Sequence, residues 1–325
     1  MNKRRKQIIE SYEVSKLVTY NLGGYEQKVL IEGKSRKAPV MISLHGGPGS
    51  PIPFSEGCRG MFPEITDSVI MVYWDQLGCG INNYVIDNSF CIDDFVAMTV
   101  DLIREIKKEF SDNKIILFGM SWGSILAAKT AMEVPELIDH AVTYGQVLHD
   151  MTFNEETYGI LAKAGLSDKE MIKLSEIKNK SRHSIKEVMC IMKWIQKYTE
   201  GYQCKAGKKT PLFPVVMGIL SSPDYRFRDF LAIIVNGYRK NTSLIEELMA
   251  IDLRETFRRM TVPYLILQGS TDIVTSTKAI QEFLAQNGLG NTKNENVTMK
   301  LIQNSGHMPG DDAMADIFEE IQKLL

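Results

Sequence analysis

Ser121 stands between two glycines in the run IILFGMSWGS (115–124), with Gly119 two positions before it and Gly123 two positions after. A serine hydroxyl is a weak nucleophile unless a base takes its proton and an acid orients that base. A sharp strand-to-helix turn flanked by small residues is one arrangement that exposes such a hydroxyl, because the neighbouring backbone can pass close by. The plainer alternative is a turn serine with a purely local role. The apolar run before Ser121 and the helical pattern after it favour the nucleophile.

Turns of this kind have their partners later in the chain, in the order serine, acid, histidine. The histidines are 45, 140, 149, 183 and 307. Of those after Ser121, three fall before or inside a region read below as an insertion. His307, in NSGHMPG, follows the strand-like VTMKLIQ and lies in a loop flanked by glycines. Asp272, in QGSTDIV, follows PYLIL in the same way, and the competing acids are Asp252 and Asp311. Alone, His307 could be a surface loop residue and Asp272 a helix N-cap. Three strand-end residues in the required order point instead to a nucleophile, an orienting acid and a base.

A fourth element, LHGGPGS (44–50), follows PVMIS directly. Acyl transfer needs backbone N–H groups aimed at the oxyanion, and glycine gives the backbone that freedom. The expected donors are the amides of Trp122 and Gly47, with Gly46 as the alternative. A phosphate loop is excluded: GKS occurs at 33–35, but the motif needs glycine at 28, which is Lys28. No HExxH or close histidine pair suggests a metal, and the chemistry calls for no metal or cofactor.

These residues need a scaffold, and the rest of the chain supplies its pattern. Val14–Tyr20 and Tyr25–Ile31 read as a hairpin around NLGG. Then PVMISLH, SVIMVYW, KIILFG, HAVTYG, PYLILQG and VTMKLIQ are short apolar runs without alternation. Such runs suit a parallel sheet covered on both faces. Helical patterns separate them. Asp94–Phe110 carries Phe95, Met98, Leu102, Ile106 and Phe110 on one stripe, and Trp122–Glu133 and Asp311–Leu325 are similar. The reading is an α/β fold with a doubly wound, mostly parallel sheet. The alternation breaks between 148 and 260, a polar, helical stretch with a stripe of Ile185, Val188, Met189, Met192 and Ile195. It reads as an inserted helical cap on a core formed by 1–147 and 261–325.

The chain has 325 residues, 44% of them hydrophobic and 24% charged, with a formal net charge of −2. That balance excludes a polyanion partner such as nucleic acid. The basic start MNKRRKQ has no apolar stretch or cleavage site behind it, and no run is long enough to cross a bilayer. Five scattered cysteines without a CxxC pair point to free thiols in a reducing cytoplasm.

HGGPGS, WDQLGCG (74–80) and GMSWGS together resemble the prolyl iminopeptidase group of α/β-hydrolases. The resemblance covers roughly 14–147 and 261–325. It implies an α/β-hydrolase fold with a helical cap, and release of N-terminal residues, often proline, from short peptides. Matched by position, it gives Ser121 as nucleophile, Asp272 as acid, His307 as base, and the loop of Gly46 and Gly47 beside Trp122. Leu77 replaces the arginine usual after DQ in that family. The family's cap stretch, which ends in a glutamate holding the substrate amine, finds its nearest counterpart in MKWIQKYTEGY, with Trp194 and Glu200. Glu200 also stands where a helix C-terminus disfavours negative charge, a mild sign of function. The expected activity is that of an aminopeptidase on small peptides. The alternatives are a carboxylesterase, amidase or lactonase with the same triad, and a non-catalytic ligand-binding protein of the same fold.

Overall fold

The computed structural model describes residues 3–51, 58–180, 183–207, 217–218, 220–286 and 295–325. Strands β1 (Val14–Leu22) and β2 (Tyr25–Gly33) form the expected hairpin. Its two-residue turn is Gly23–Gly24, both at positive φ, as a tight hairpin requires. Then follow β3 (Val40–Leu44), β4 (Ile70–Tyr73), β5 (Ile115–Met120), β6 (His140–Tyr144), β7 (Tyr264–Gly269) and β8 (Val297–Ile302). Together they make one eight-stranded sheet in the order β1-β2-β4-β3-β5-β6-β7-β8. Within this sheet, among the described residues, β1–β2 and β2–β4 pair antiparallel and the other strand pairs are parallel.

Alternate residues of β3–β7 enter different cores, which is why those strands read as unbroken apolar runs. After the helices α1 (Lys3–Ser11) and α2 (Pro63–Thr66) come α3 (Ile92–Glu109) and α4 (Trp122–Glu133), which Ile42, Val72, Leu117 and Ile266 face. Met41, Met71, Ile116, Phe118 and Val142 face the opposite layer, which includes Ile317 and Ile321 of a C-terminal helix, Asp311–Gln322. Cutting one of these back, as in Ile116→Ala, removes packing on the order of 2–5 kcal/mol. The stripe expected on α3 is buried throughout: Phe95, Met98, Leu102, Ile106 and, at its C-cap, Phe110. Asp93 and Asp94 open that helix and Lys107 and Lys108 close it, each sign where the helix dipole favours it.

Between β6 and β7 the chain is helical: α5 (Glu155–Lys163), α6 (Asp168–Lys178), α7 (Ile185–Tyr198), α8 (Phe227–Ile234) and α9 (Thr242–Met249). At its neck the two chain segments meet, with the Leu253 N–H donating to Leu148 O at 2.9 Å and a bridge pairing His149 with Asp252. One local expectation is corrected here. On α7 the buried residues are Ile191, Trp194 and Ile195, while Met189 is exposed, so the inward face is rotated from the stripe read in the sequence. Ser167–Glu170 and Ser184–Glu187 form capping boxes as their spacing suggests. Thr152 and Ser243 stand at the same spacing before Glu155 and Glu246 but do not cap. Asn154 and Asn241 start α5 and α9 instead, accepting from the Thr157 and Leu244 amides.

Candidate active site

β5 runs into α4 through Ser121, the N-cap, at φ 50° and ψ −116°. For a non-glycine residue that conformation costs about 1–3 kcal/mol, and the surrounding packing must hold it. The flanking glycines show how. A Cβ on Gly123 would lie 1.8 Å from Leu44 O, and one on Gly119 would lie 2.5 Å from Gly123 O. Backbone therefore stacks on backbone at the turn, and only glycine fits at either position. The Ser121 N–H donates to Tyr144 O at 3.0 Å, which fixes the turn to β6.

The three predicted residues converge although 186 positions separate the outer pair. His307 Nε2 lies 2.9 Å from Ser121 Oγ, and His307 Nδ1 lies 2.9 Å from Asp272 Oδ2. Asp272 is buried and surrounded by donors. Its Oδ1 accepts the N–H groups of Val274 (2.8 Å) and Thr275 (3.1 Å), and its Oδ2 accepts from Thr275 Oγ1 (2.8 Å) and Gln268 Nε2 (3.1 Å). Donors to both oxygens fix the plane of the carboxyl group. With Nδ1–H given to Asp272, Nε2 is left to accept the serine proton.

The two other glycine-bearing motifs meet beside this chain of hydrogen bonds. Gly46 packs against Ser121: a Cβ there would sit 3.5 Å from the serine Cβ and 3.3 Å from Met120 O. Gly47 turns at φ 122°, where a Cβ would strike the amides of Gly49 and Ser50. Trp122 begins α4, and the amide of a first helical residue has no intrahelical acceptor. Gln76, from WDQLGCG, ties the pieces together. Its backbone N–H donates to His45 Nε2 (2.9 Å), its Nε2 to His45 O (3.2 Å), and its Oε1 accepts from the Trp122 indole (2.8 Å). His45 is buried, and burial pushes its pKa down to about 4, so the ring stays a neutral strut. The cap reaches this side too: Asn236 Nδ2 donates to Gly49 O (2.9 Å) and Gly237 N–H to Gly78 O (2.7 Å).

The two cap residues singled out from the sequence are placed differently. Trp194 is 3% exposed and donates its indole N–H to Glu170 Oε1 at 3.2 Å, packed among the helices between β6 and β7. Glu200 follows α7 with its side chain exposed. It lines a cleft with Glu156, Lys163, Thr271, Asp272 and Lys278, whose walls include neither Ser121 nor His307. What Glu200 gives to the site is its backbone carbonyl, which accepts from Thr271 Oγ1 at 2.9 Å. Leu77, in the place of the family's arginine, is fully buried. Sequence reading missed Gln268, Thr275 and Tyr144. The Tyr144 hydroxyl donates to Gly306 O beside His307, and burial raises its pKa. Each is an ordinary strand or loop residue with no motif to mark it. Among the described residues, no cluster of side chains could hold a metal ion, and no helix is long and apolar enough to cross a membrane.

Comparison with known proteins follows the same lines. A probable aminopeptidase, YbaC of Bacillus subtilis, is 24% identical over 285 residues, 85% of this chain and 87% of that one. A proline iminopeptidase of Saccharolobus solfataricus is 25% identical over 316 residues, 89% and 84% of the two chains. The crystal structure of proline iminopeptidase from Mycobacterium smegmatis superposes with a TM-score of 0.60 at 15% identity, covering 95% and 96%. The alpha/beta hydrolase fold family matches residues 39–313, most of the chain and all three residues of the Ser121–His307–Asp272 relay. By sheet order, by the turn that carries Ser121 and by this match, the chain belongs to the alpha/beta hydrolase fold family.

Proposed function

We propose that the chain is a cytoplasmic serine hydrolase that releases N-terminal residues, proline among them, from small peptides. The observation that carries the hydrolase reading is the unbroken relay Ser121–His307–Asp272, with the serine held on a strained turn. His307 Nε2 takes the hydroxyl proton as Ser121 Oγ adds to the scissile carbonyl. The oxyanion is held by the amides of Trp122 and Gly47, with Gly46, which packs on the serine, as the alternative donor. Collapse passes the proton from His307 to the leaving amine and leaves an acyl-enzyme. Water, deprotonated by His307, then releases the acid and restores Ser121. Asp272 orients the imidazole and balances its charge in both halves. The aminopeptidase reading rests on the motif combination and on the names of the two long relatives. The odd, scattered cysteine count supports the cytoplasm.

A fluorophosphonate probe on wild type and Ser121→Ala, with paired substrates, tests both levels. Labelling of wild type alone, with loss of turnover by thousands-fold or more in the variant, is expected for a nucleophile. Aminoacyl amides should be cleaved in preference to their N-acetylated forms and to short acyl esters. Equal rates on free and acetylated amines would replace the aminopeptidase with an esterase or amidase. An unlabelled wild type would leave a non-catalytic binding protein.

A further inference from the structure

The loop that carries His307 does not stand on the core alone. Its backbone N–H groups donate to the cap: His307 N–H to Gly201 O at 3.0 Å and Met308 N–H to Tyr202 O at 2.8 Å. Thr271 Oγ1 lies 2.9 Å from Glu200 O and 3.1 Å from Ser305 O, bridging the cap segment and the loop from the Asp272 side. Gly306, the residue before the histidine, is buried against the same segment. A Cβ there would meet Tyr202 C at 2.7 Å, Gly201 O at 2.8 Å and Glu200 O at 2.9 Å, all backbone atoms that cannot rotate away. On the other side Ile273 limits the segment, since a Cβ on Gly201 would lie 2.3 Å from its Cγ1. The half-buried Tyr202 ring then lies 6.3 Å from the His307 ring, tilted by 38°.

We infer that Glu200–Tyr202, a segment of the cap, is the positioning element for His307, and that residue 306 is glycine because this backbone lies flat upon it. The inference rests on the reading of His307 as general base. Asp272 fixes one edge of the imidazole and so sets its tautomer, but a single hydrogen bond leaves the ring free to swing about that contact. The Gly201 carbonyl holds the His307 backbone and the Tyr202 carbonyl that of Met308, so together they fix the point from which the imidazole reaches toward Ser121. A ring displaced by about 1 Å loses its reach to the serine hydroxyl, and misplacement of that size can cost about a hundredfold in rate. Displacing the cap segment should therefore slow the proton transfer while the substrate's binding groups stay in place.

The test compares Gly306→Ala and Thr271→Val with wild type and with Gly310→Ala, a control position where a Cβ meets nothing within 4 Å. The readouts are kcat, KM, the fluorophosphonate labelling rate of Ser121, and amide exchange at His307 and Met308. In wild type those two amides should be protected. Gly306→Ala should lower kcat and labelling at least tenfold and Thr271→Val severalfold, with KM within twofold and the two amides deprotected. Gly310→Ala should match wild type. Wild-type labelling rates in Thr271→Val and in a folded Gly306→Ala would overturn the inference, as would wild-type amides exchanging as freely as those of an open loop. If Gly306→Ala fails to fold, Thr271→Val decides. Failure of wild type to label at Ser121 would instead sink the hydrolase reading, so the two failures are distinguishable.

Discussion

Gln268 Nε2 lies 3.1 Å from Asp272 Oδ2, the same oxygen that faces His307 Nδ1 at 2.9 Å. The amide group of Gln268 works in two directions, since its Oε1 accepts the Gln146 N–H at 2.9 Å across to the end of β6. It therefore sets the carboxylate plane relative to the sheet, on which His307 depends. Gln268→Met keeps the volume and leaves Asp272, Thr275 and Gln146 each one bond short. A hydrogen bond to a charged group is worth about 1.5–3 kcal/mol, so kcat should fall by roughly ten- to a hundredfold with KM little changed. Steady-state kinetics on one substrate check this, and an unchanged kcat would remove Gln268 from the positioning of Asp272.

Asp272→Asn should reduce kcat by about 10⁴, because an amide donor toward Nδ1 favours the wrong imidazole tautomer. The competing acids serve as controls. Asp252 is half exposed and paired with Arg254 at 2.6 Å, and Asp311 opens the C-terminal helix. Their Asn variants should retain activity within about twofold, as surface substitutions usually do. A dead Asp252→Asn beside an active Asp272→Asn would reassign the acid.

Glycines that look alike in sequence should respond in opposite ways. Gly123→Ala places a Cβ 1.8 Å from the Leu44 carbonyl oxygen, a clash that only movement of β3 against α4 can relieve. It should abolish soluble expression or the cooperative melt. Gly159 lies exposed within α5 with nothing within 4 Å of a new Cβ. Gly159→Ala should raise stability by about 0.5–1 kcal/mol through helix propensity. Soluble yield and the loss of a cooperative urea transition check the first variant, and a raised urea midpoint checks the second.

What could be read without the fold was whatever has a period or a fixed turn chemistry. The strands were visible because both faces of β3–β7 are buried, and Ser121 because the turn needs glycine at 119 and 123. Asp272 and His307 were visible because parallel strands deliver their loops to one edge. The cap was legible only as helix. Trp194 stood out as the counterpart of a family cap stretch, and its burial beside Glu170 was not legible, because a helical core needs large apolar residues as much as a binding pocket does. Glu200 drew attention through its side chain, whereas its carbonyl carries the contact, and backbone roles leave no mark on residue type. Gln268, Thr275 and the pairing of Gly201 with His307 depend on segments far apart in the chain, which no local pattern encodes.

Two buried groups give folding stability opposing pH slopes, and single variants should separate them. Glu32, on β2, receives the Gly60 N–H on its two oxygens at 2.9 and 2.8 Å. Burial outweighs that bond and the nearby Arg59 and Arg5, and lifts its pKa to about 7. An acid with a raised folded pKa holds its proton in the native state after the unfolded chain has released it. Its contribution is therefore favourable at low pH and is lost as pH climbs from about 4.5 to about 7. His45, held near 4 by burial, does the reverse: the unfolded chain takes up a proton first, so stability is lost as pH falls from about 6.5 toward 4. Each shift corresponds to roughly 3 kcal/mol across its window. Between pH 5 and 6.5 the two slopes largely cancel in wild type. In Glu32→Gln the falling slope is gone, so stability should rise more steeply with pH than in wild type. The stability difference, wild type minus Glu32→Gln, should shrink or change sign from pH 5 to pH 7. Denaturant melts of both proteins at half-unit intervals measure it, and a difference constant across that range would mean that Glu32 is already ionised in the native protein at pH 5.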